Sequence, residues 1–240
     1  MTNNVCKRKG LRGKKRIDFT EGPLFWKLIW FAAPIAAAGL LQMLYNAADK
    51  LVVGQFSGDP NALGAIGCTA TLGALIINFM GGIGSGVGVV VAQLYGGKRY
   101  NETSRAVHTS LVFGFILSLS LTVVGYLTLE PMLRLPGTQD VYMENAVLYL
   151  RITYLGITAT AIYNFGASIL RATGDSRTPL VIGAISGLVN VVFNLGFVCL
   201  FNMSVDGVAT ATIIAQYISA VAVVLVLQQL SKQTKLVLTL

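Results

Sequence analysis

Residues 41–54 read Leu-Gln-Met-Leu-Tyr-Asn-Ala-Ala-Asp-Lys-Leu-Val-Val-Gly and close the first long apolar segment of the chain. The stretch carries an acid where a membrane-spanning helix ordinarily has none. At 3.6 residues per turn, Gln42, Tyr45, Asn46 and Asp49 fall at i, i+3, i+4 and i+7, on one face. Four hydrogen-bonding side chains on one face of an apolar helix predict a lined cavity. Asp49 lies about 33 Å along the helix axis from Lys27, in the far half of the span. At that depth a carboxylate can also snorkel to the interface or pair with Lys50. Its three polar companions favour a functional face.

Outward from this stretch, apolar runs alternate with short polar breaks. They predict six spans at 24–53, 63–94, 107–129, 146–170, 180–201 and 208–230. Each is long enough for a bilayer core of about 30 Å at about 1.5 Å per residue. Thr20-Glu-Gly-Pro23 reads as a helix entry, with Thr20 as cap. Trp26 and Trp30 suit an interface, and Pro34 predicts a bend in the first span. Ser57 to Asn61 is a turn, 95–105 a short basic loop, and 131–140 a polar connection turning at Pro136-Gly137. The run Met80-Gly-Gly-Ile-Gly-Ser-Gly-Val-Gly88 lacks the Lys-Ser/Thr ending and the preceding strand of a phosphate loop. Its glycines are expected to let neighbouring helices approach closely.

Only 12% of the 240 residues are charged, against about a quarter in soluble domains, and the mean hydropathy is +0.68. A polytopic membrane protein follows. The net charge of +8 is concentrated in Lys7, Arg8, Lys9, Arg12, Lys14, Lys15 and Arg16. A cluster before a first span is a topological determinant that meets anionic lipid, rather than a nucleic-acid arm. Lys98, Arg99, Arg105, Arg171, Arg177, Lys232 and Lys235 fall on the same side, with Lys27. Only Lys50, Arg134 and Arg151 fall on the other, so both termini are expected in the cytoplasm. No cleavable signal peptide is evident. Cys6, Cys68 and Cys199 match neither a disulfide framework nor a metal motif.

Three further spans carry polar stripes at a spacing of three or four. They are Thr160, Asn164 and Ser168; Ser186, Asn190 and Asn194; and Thr212, Gln216 and Ser219. Singly, such groups often stitch helices together. Four striped helices predict a shared hydrated cavity. No enzyme constellation is present: His108 is the single histidine, placed at an interface, and no paired intramembrane acids or nucleophile triad can be assembled.

Several segments resemble the multidrug and toxic compound extrusion (MATE) family. They are Thr20-Glu-Gly-Pro, Leu44-Tyr-Asn-Ala-Ala-Asp-Lys-Leu-Val-Val-Gly, Gln93-Leu-Tyr-Gly-Gly and Ala211-Thr-Ile-Ile-Ala-Gln. The most specific is Tyr163-Asn-Phe-Gly-Ala-Ser-Ile-Leu-Arg-Ala-Thr-Gly-Asp-Ser-Arg-Thr-Pro. The resemblance implies an all-α membrane protein, six transmembrane helices forming one lobe of a twelve-helix transporter. The domains would be 1–20 a basic cytoplasmic tail, 21–230 the lobe, and 231–240 the start of an interlobe connection or a C-terminal tail. It implies efflux of drugs and organic cations in exchange for Na+ or H+ by alternating access.

On the same resemblance, Asp49 matches the family's coupling-ion acid, Tyr45 its neighbouring tyrosine, Asn164 a fourth-span asparagine and Thr212 a sixth-span threonine. The expected coupling-ion or proton site is Asp49, Asn190, Asn194 and Thr212, with Na+ at Asp49, Asn190 and Asn194. Gln42, Tyr45, Asn46 and Asn164 are expected to line the cavity. One departure stands out: the family's fifth span commonly reads Asn-x-x-x-Asp, and this chain reads Asn190-Val-Val-Phe-Asn194. A switch shared by two carboxylates is thereby weakened, whereas a cation site of Asp49 with neutral oxygens survives.

The expected partners are membrane lipid, amphipathic cationic small molecules, and a missing C-terminal lobe or a second copy. No nucleic acid and no cofactor beyond the coupling ion are expected. The setting implied is the plasma (inner) membrane of a bacterium. Two other readings stay open. A flippase of a lipid-linked precursor would want basic residues inside the spans, which are essentially missing. The chain could also be a non-transporting half-protein, or a fragment that breaks off in an interlobe connection.

Overall fold

The computed structural model describes residues 24–135 and 137–233. The basic tail, the helix entry at Thr20–Pro23, Pro136 of the expected turn and the stretch from 234 onward lie outside the described residues. The helices in order are α1 (Leu24–Phe56), α2 (Ala62–Gly96), α3 (Tyr100–Leu127), α4 (Leu129–Arg134), α5 (Asp140–Tyr154), α6 (Ile157–Ala172), α7 (Arg177–Leu195) and α8 (Val205–Gln233), with a π-helical turn (Gly196–Leu200) after α7. Five of them, α1, α2, α3, α7 with its π turn, and α8, are long and apolar enough to cross a membrane. Helices α5 and α6 pass the same test only when taken together, with a bend of 50° between them.

Helix α6 occupies the centre and packs on α2, α3 and α8. Small residues allow this: Ala159, Ala161, Gly166 and Ala167 are all buried in it. The glycine run of α2 meets it as expected. A Cβ at Gly84 or Gly88 would come within 3.4 Å of Asn164 O and Ser168 Oγ, or of Ser168 O. Gly81, Gly82 and Gly86 face open space, so close approach explains only part of the run. Helix α7 packs on α1 and α8, which places α1 at the margin. Leu40, Met43 and Leu44 of α1 are exposed, as a lipid-facing surface requires.

The expected connections shift. The 95–105 loop shortens to 97–99, because α2 continues to Gly96 and α3 starts at Tyr100. The 131–140 connection is partly helical, with α4 inside it, anchored by buried Leu129 and Leu133. Helix α8 runs to Gln233, past the expected end at 230. Pro34 lies inside α1 without dividing it.

The largest correction concerns the fourth span, read as one helix over 146–170. It breaks at Leu155-Gly156. Leu155 N and Gly156 N bond Ile152 O and Thr153 O, a tighter turn than the α-helix. One carbonyl at the break finds a side-chain donor. Tyr217 of α8 donates to Leu155 O at 3.1 Å, while Thr122 of α3, whose hydroxyl donates to Ser118 O at 2.9 Å, stands 3.3 Å from Tyr154 O. Such substitution is what lets a span be discontinuous. No proline marks the break, so only Gly156 hinted at it.

Both ends of the bundle are pinned by loop acids. Asp59 accepts from Asn61 N (2.8 Å) and Asn145 Nδ2 (2.7 Å), with Ser204 Oγ at 3.5 Å, joining two connections to the first turns of α5. At the other end Asp175 accepts from Thr178 N (3.0 Å) and Thr178 Oγ1 (2.6 Å), capping α7. Gly174 precedes it at φ +87°, which only glycine takes readily.

Candidate functional site

Asp49 faces α7. Its carboxylate accepts a short hydrogen bond from Asn194 Nδ2. The same amide nitrogen lies 3.4 Å from Asn190 Oδ1, one turn back along α7. Asn190 Nδ2 in turn donates to Thr212 Oγ1 of α8 at 3.2 Å, and Thr212 donates to Val208 O at 2.9 Å. Asp49, Asn194, Asn190 and Thr212 therefore form one polarised ladder across three helices. Asn194 is fully buried and Asn190 nearly so, whereas Asp49 and Thr212 are half-buried.

Asp49 has no ion pair with Lys50. Among the described residues the ion pairs are Arg99–Glu102 and Arg134–Asp140, both at helix ends. Among the described residues, the acids other than Asp49 lie in loops or within about a turn of a helix start. One polar atom of the ladder is left over: Asn194 Oδ1 is buried without a hydrogen-bond partner. An orphaned amide oxygen one rotation away from a carboxylate is an acceptor in reserve for a cation or for the proton of a neutral carboxyl. The donor set fits a hard monovalent cation, with one carboxylate and several neutral oxygens. Among the described residues no cluster of three or more His, Cys, Asp or Glu exists, so a transition-metal site has no basis there.

Tyr45 occupies a different place. Its hydroxyl donates to Ala184 O of α7 at 3.0 Å, and its ring lies where a Cβ on residue 187 would be. Gly187 is thus the notch that lets α1 dock on α7 beside the ladder. Gln42 and Asn46 are exposed and make no side-chain hydrogen bond among the described residues. Asn164 donates to Thr160 O of its own helix at 2.9 Å and stands apart from the ladder, as does Ser168 against the α2 glycines. Ser186 ties α7 to α8 through Ala215 O at 2.6 Å. The four stripes of the sequence therefore resolve into one ladder and several helix-to-helix contacts.

The MatE family profile matches residues 34–196, which carry the carboxylate and both asparagines of the ladder. The chain belongs to the MatE family. Its relatives include the probable multidrug resistance proteins YpnP and YoeA of Bacillus subtilis (strain 168). YpnP is 31% identical over 205 residues, covering 85% of this chain and 46% of YpnP. YoeA is 30% identical over 218 residues, covering 89% of this chain and 46% of YoeA. A solved outward-facing multidrug resistance MATE transporter superposes with a TM-score of 0.80 at 23% identity, over 89% of this chain and 47% of that one. The chain spans about half the length of the curated relatives it matches. A MatE chain with these helices is a multi-pass membrane protein.

Proposed function

We propose that this MatE chain is the N-terminal lobe of a cation-coupled exporter of amphipathic organic cations, working by alternating access. The lobe sits in a bacterial plasma membrane with both ends in the cytoplasm, an orientation supported by the distribution of lysine and arginine. A second six-helix lobe, or a second copy, packs against the exposed face of α1 that carries Gln42 and Asn46. Asp49 is the site of the coupling ion, Na+ or H+, with Asn194, Asn190 and Thr212 as neutral partners.

The observation that carries the reading is the ladder with its spare oxygen. With Asp49 ionised and no ion bound, Asn194 offers its N–H. A bound Na+ needs Asn194 to offer its oxygen instead, and so does a protonated Asp49. Rotation of that amide re-pairs Asn190 and then Thr212, so occupancy at α1 changes the bonds between α7 and α8. With one carboxylate where relatives with Asn-x-x-x-Asp would have two, one positive charge neutralises the site.

Calorimetric titration of NaCl into the purified chain, with proton uptake followed in parallel, tests this. Saturable Na+ binding or proton uptake is expected in the parent and lost in Asp49→Asn, whose far-UV circular dichroism stays unchanged. In cells, Asp49→Asn abolishes export of a fluorescent lipophilic cation. Ion binding and export at parental levels in Asp49→Asn would overturn the assignment.

A further inference from the structure

We infer that the break in the fourth span is a two-state joint whose setting is read from the Asp49 ladder by helix α8, with Gln216 and Tyr217 as positioning residues. This rests on Asp49 being the cation site. The geometry begins at the break. In a continuous helix Leu155 O would accept from the N–H of Ala159, and Tyr154 O from that of Thr158. Here Tyr217 of α8 donates to Leu155 O at 3.1 Å. A side-chain donor stands where a helix bond would form, and the bent and straight settings differ in which donor that carbonyl takes.

Gln216 stands beside Tyr217 and fills the notch left by Gly156. A Cβ on residue 156 would overlap Gln216 Oε1. That oxygen is buried and has no hydrogen-bond partner. Its burial without an acceptor's reward makes the gripped state costly in one atom, which helps to keep the alternative within reach. Helix α8 thus holds the joint with two consecutive side chains.

The same helix ends the ladder. Thr212 is four residues from Gln216, on the same face of α8, and accepts from Asn190. When the Asn194 amide turns its oxygen to a cation at Asp49, Asn190 re-pairs and leaves Thr212. That removes one of the bonds which fix α8 against α7, and α8 pivots about the remaining Ser186–Ala215 bond, drawing Tyr217 away from the joint. Leu155 O then takes its helix partner and the span straightens. The coupling runs through one rigid helix over about one turn, so no long pathway is needed.

The test is a spin-label distance across the joint. Val141→Cys near the start of α5 and Ala172→Cys at the end of α6 are labelled in a chain whose Cys6, Cys68 and Cys199 are replaced by alanine. A 50° bend puts the two backbone positions about 42 Å apart, and a straight helix about 46 Å. Sodium chloride added to the parent, and Asp49→Asn without sodium, both move the distribution toward the longer distance. Tyr217→Phe and Gln216→Ala do so without added cation.

By reciprocity, Tyr217→Phe also tightens Na+ binding about threefold, the worth of one interhelical hydrogen bond in a membrane protein. A merely structural tyrosine would leave Na+ affinity alone. Unchanged distances in Tyr217→Phe and Gln216→Ala, with Asp49-dependent Na+ binding intact, would overturn the joint and leave the cation site standing. Distances that respond to these variants but not to sodium or Asp49→Asn would overturn the coupling. Absence of any Asp49-dependent ion binding would instead overturn the site itself, and the coupling with it.

Discussion

The bond between Asp49 and Asn194 can be measured through a double-mutant cycle of Asp49→Ala and Asn194→Ala. Asn194 is fully buried, so its truncation also opens a cavity, but that cost appears on both arms of the cycle and cancels. What remains is the pair. Two magnitudes compete. Neutral interhelical hydrogen bonds inside membrane proteins average about 0.6 kcal/mol. A bond to an ionised group contributes about 1.5–3 kcal/mol. An ionised Asp49 therefore predicts a coupling energy of at least about 1.5 kcal/mol in the absence of Na+. Saturating Na+ should reduce it, because the cation and the Asn194 N–H compete for one carboxylate. The assay is reversible denaturant unfolding in detergent micelles, followed by far-UV circular dichroism. Single-mutant effects that add within about 0.5 kcal/mol would refute the ladder as an energetic unit.

Gly187→Ala pushes the Tyr45 ring off α7 and should destabilise the chain by about 1–3 kcal/mol. Adding Tyr45→Ala should recover part of that loss, and thermal unfolding of the three variants checks it. Gly84→Val should destabilise by a similar amount, since its neighbours include the Asn164 backbone. Gly82→Ala meets nothing within 4 Å and should be neutral or stabilising by up to about 1 kcal/mol in the same melts. Asp59→Ala strips Asn145 of its acceptor and unties the loops at one end. It should cost about 1–3 kcal/mol and speed protease cleavage there, with Na+ affinity unchanged by calorimetry.

The helical membrane architecture was legible because apolar composition over long runs leaves few alternatives. In lipid, backbone groups must bond within their own segment, so hydropathy and length alone place the spans. The polar face of 41–54 was legible for the same reason: helical periodicity assigns neighbours along one helix. Asp49, Asn190, Asn194 and Thr212 were all nameable from the sequence, and the departure Asn194 was visible as a single letter.

What periodicity could not supply is which helix faces which. Asn46 and Asp49 share a face by spacing, yet one is exposed and the other bonds α7, because rotation about the helix axis is set by packing rather than by sequence distance. The stripe of Asn164 and Ser168 matches that of Asn190 and Asn194 in spacing. It serves α2 packing because α6 was drawn to the centre by its small residues. The break at Leu155-Gly156 had no proline to announce it. Its Leu155 carbonyl is met instead by the hydroxyl of Tyr217, 62 residues away. The sequence by itself determined six crossings and one acid among them. Only the tertiary structure decided that the acid's partner is an amide on α7, and that the ladder behind it ends one turn from a broken helix. Hydrogen bonds are short-ranged and directional, so they are settled only when the helices have docked.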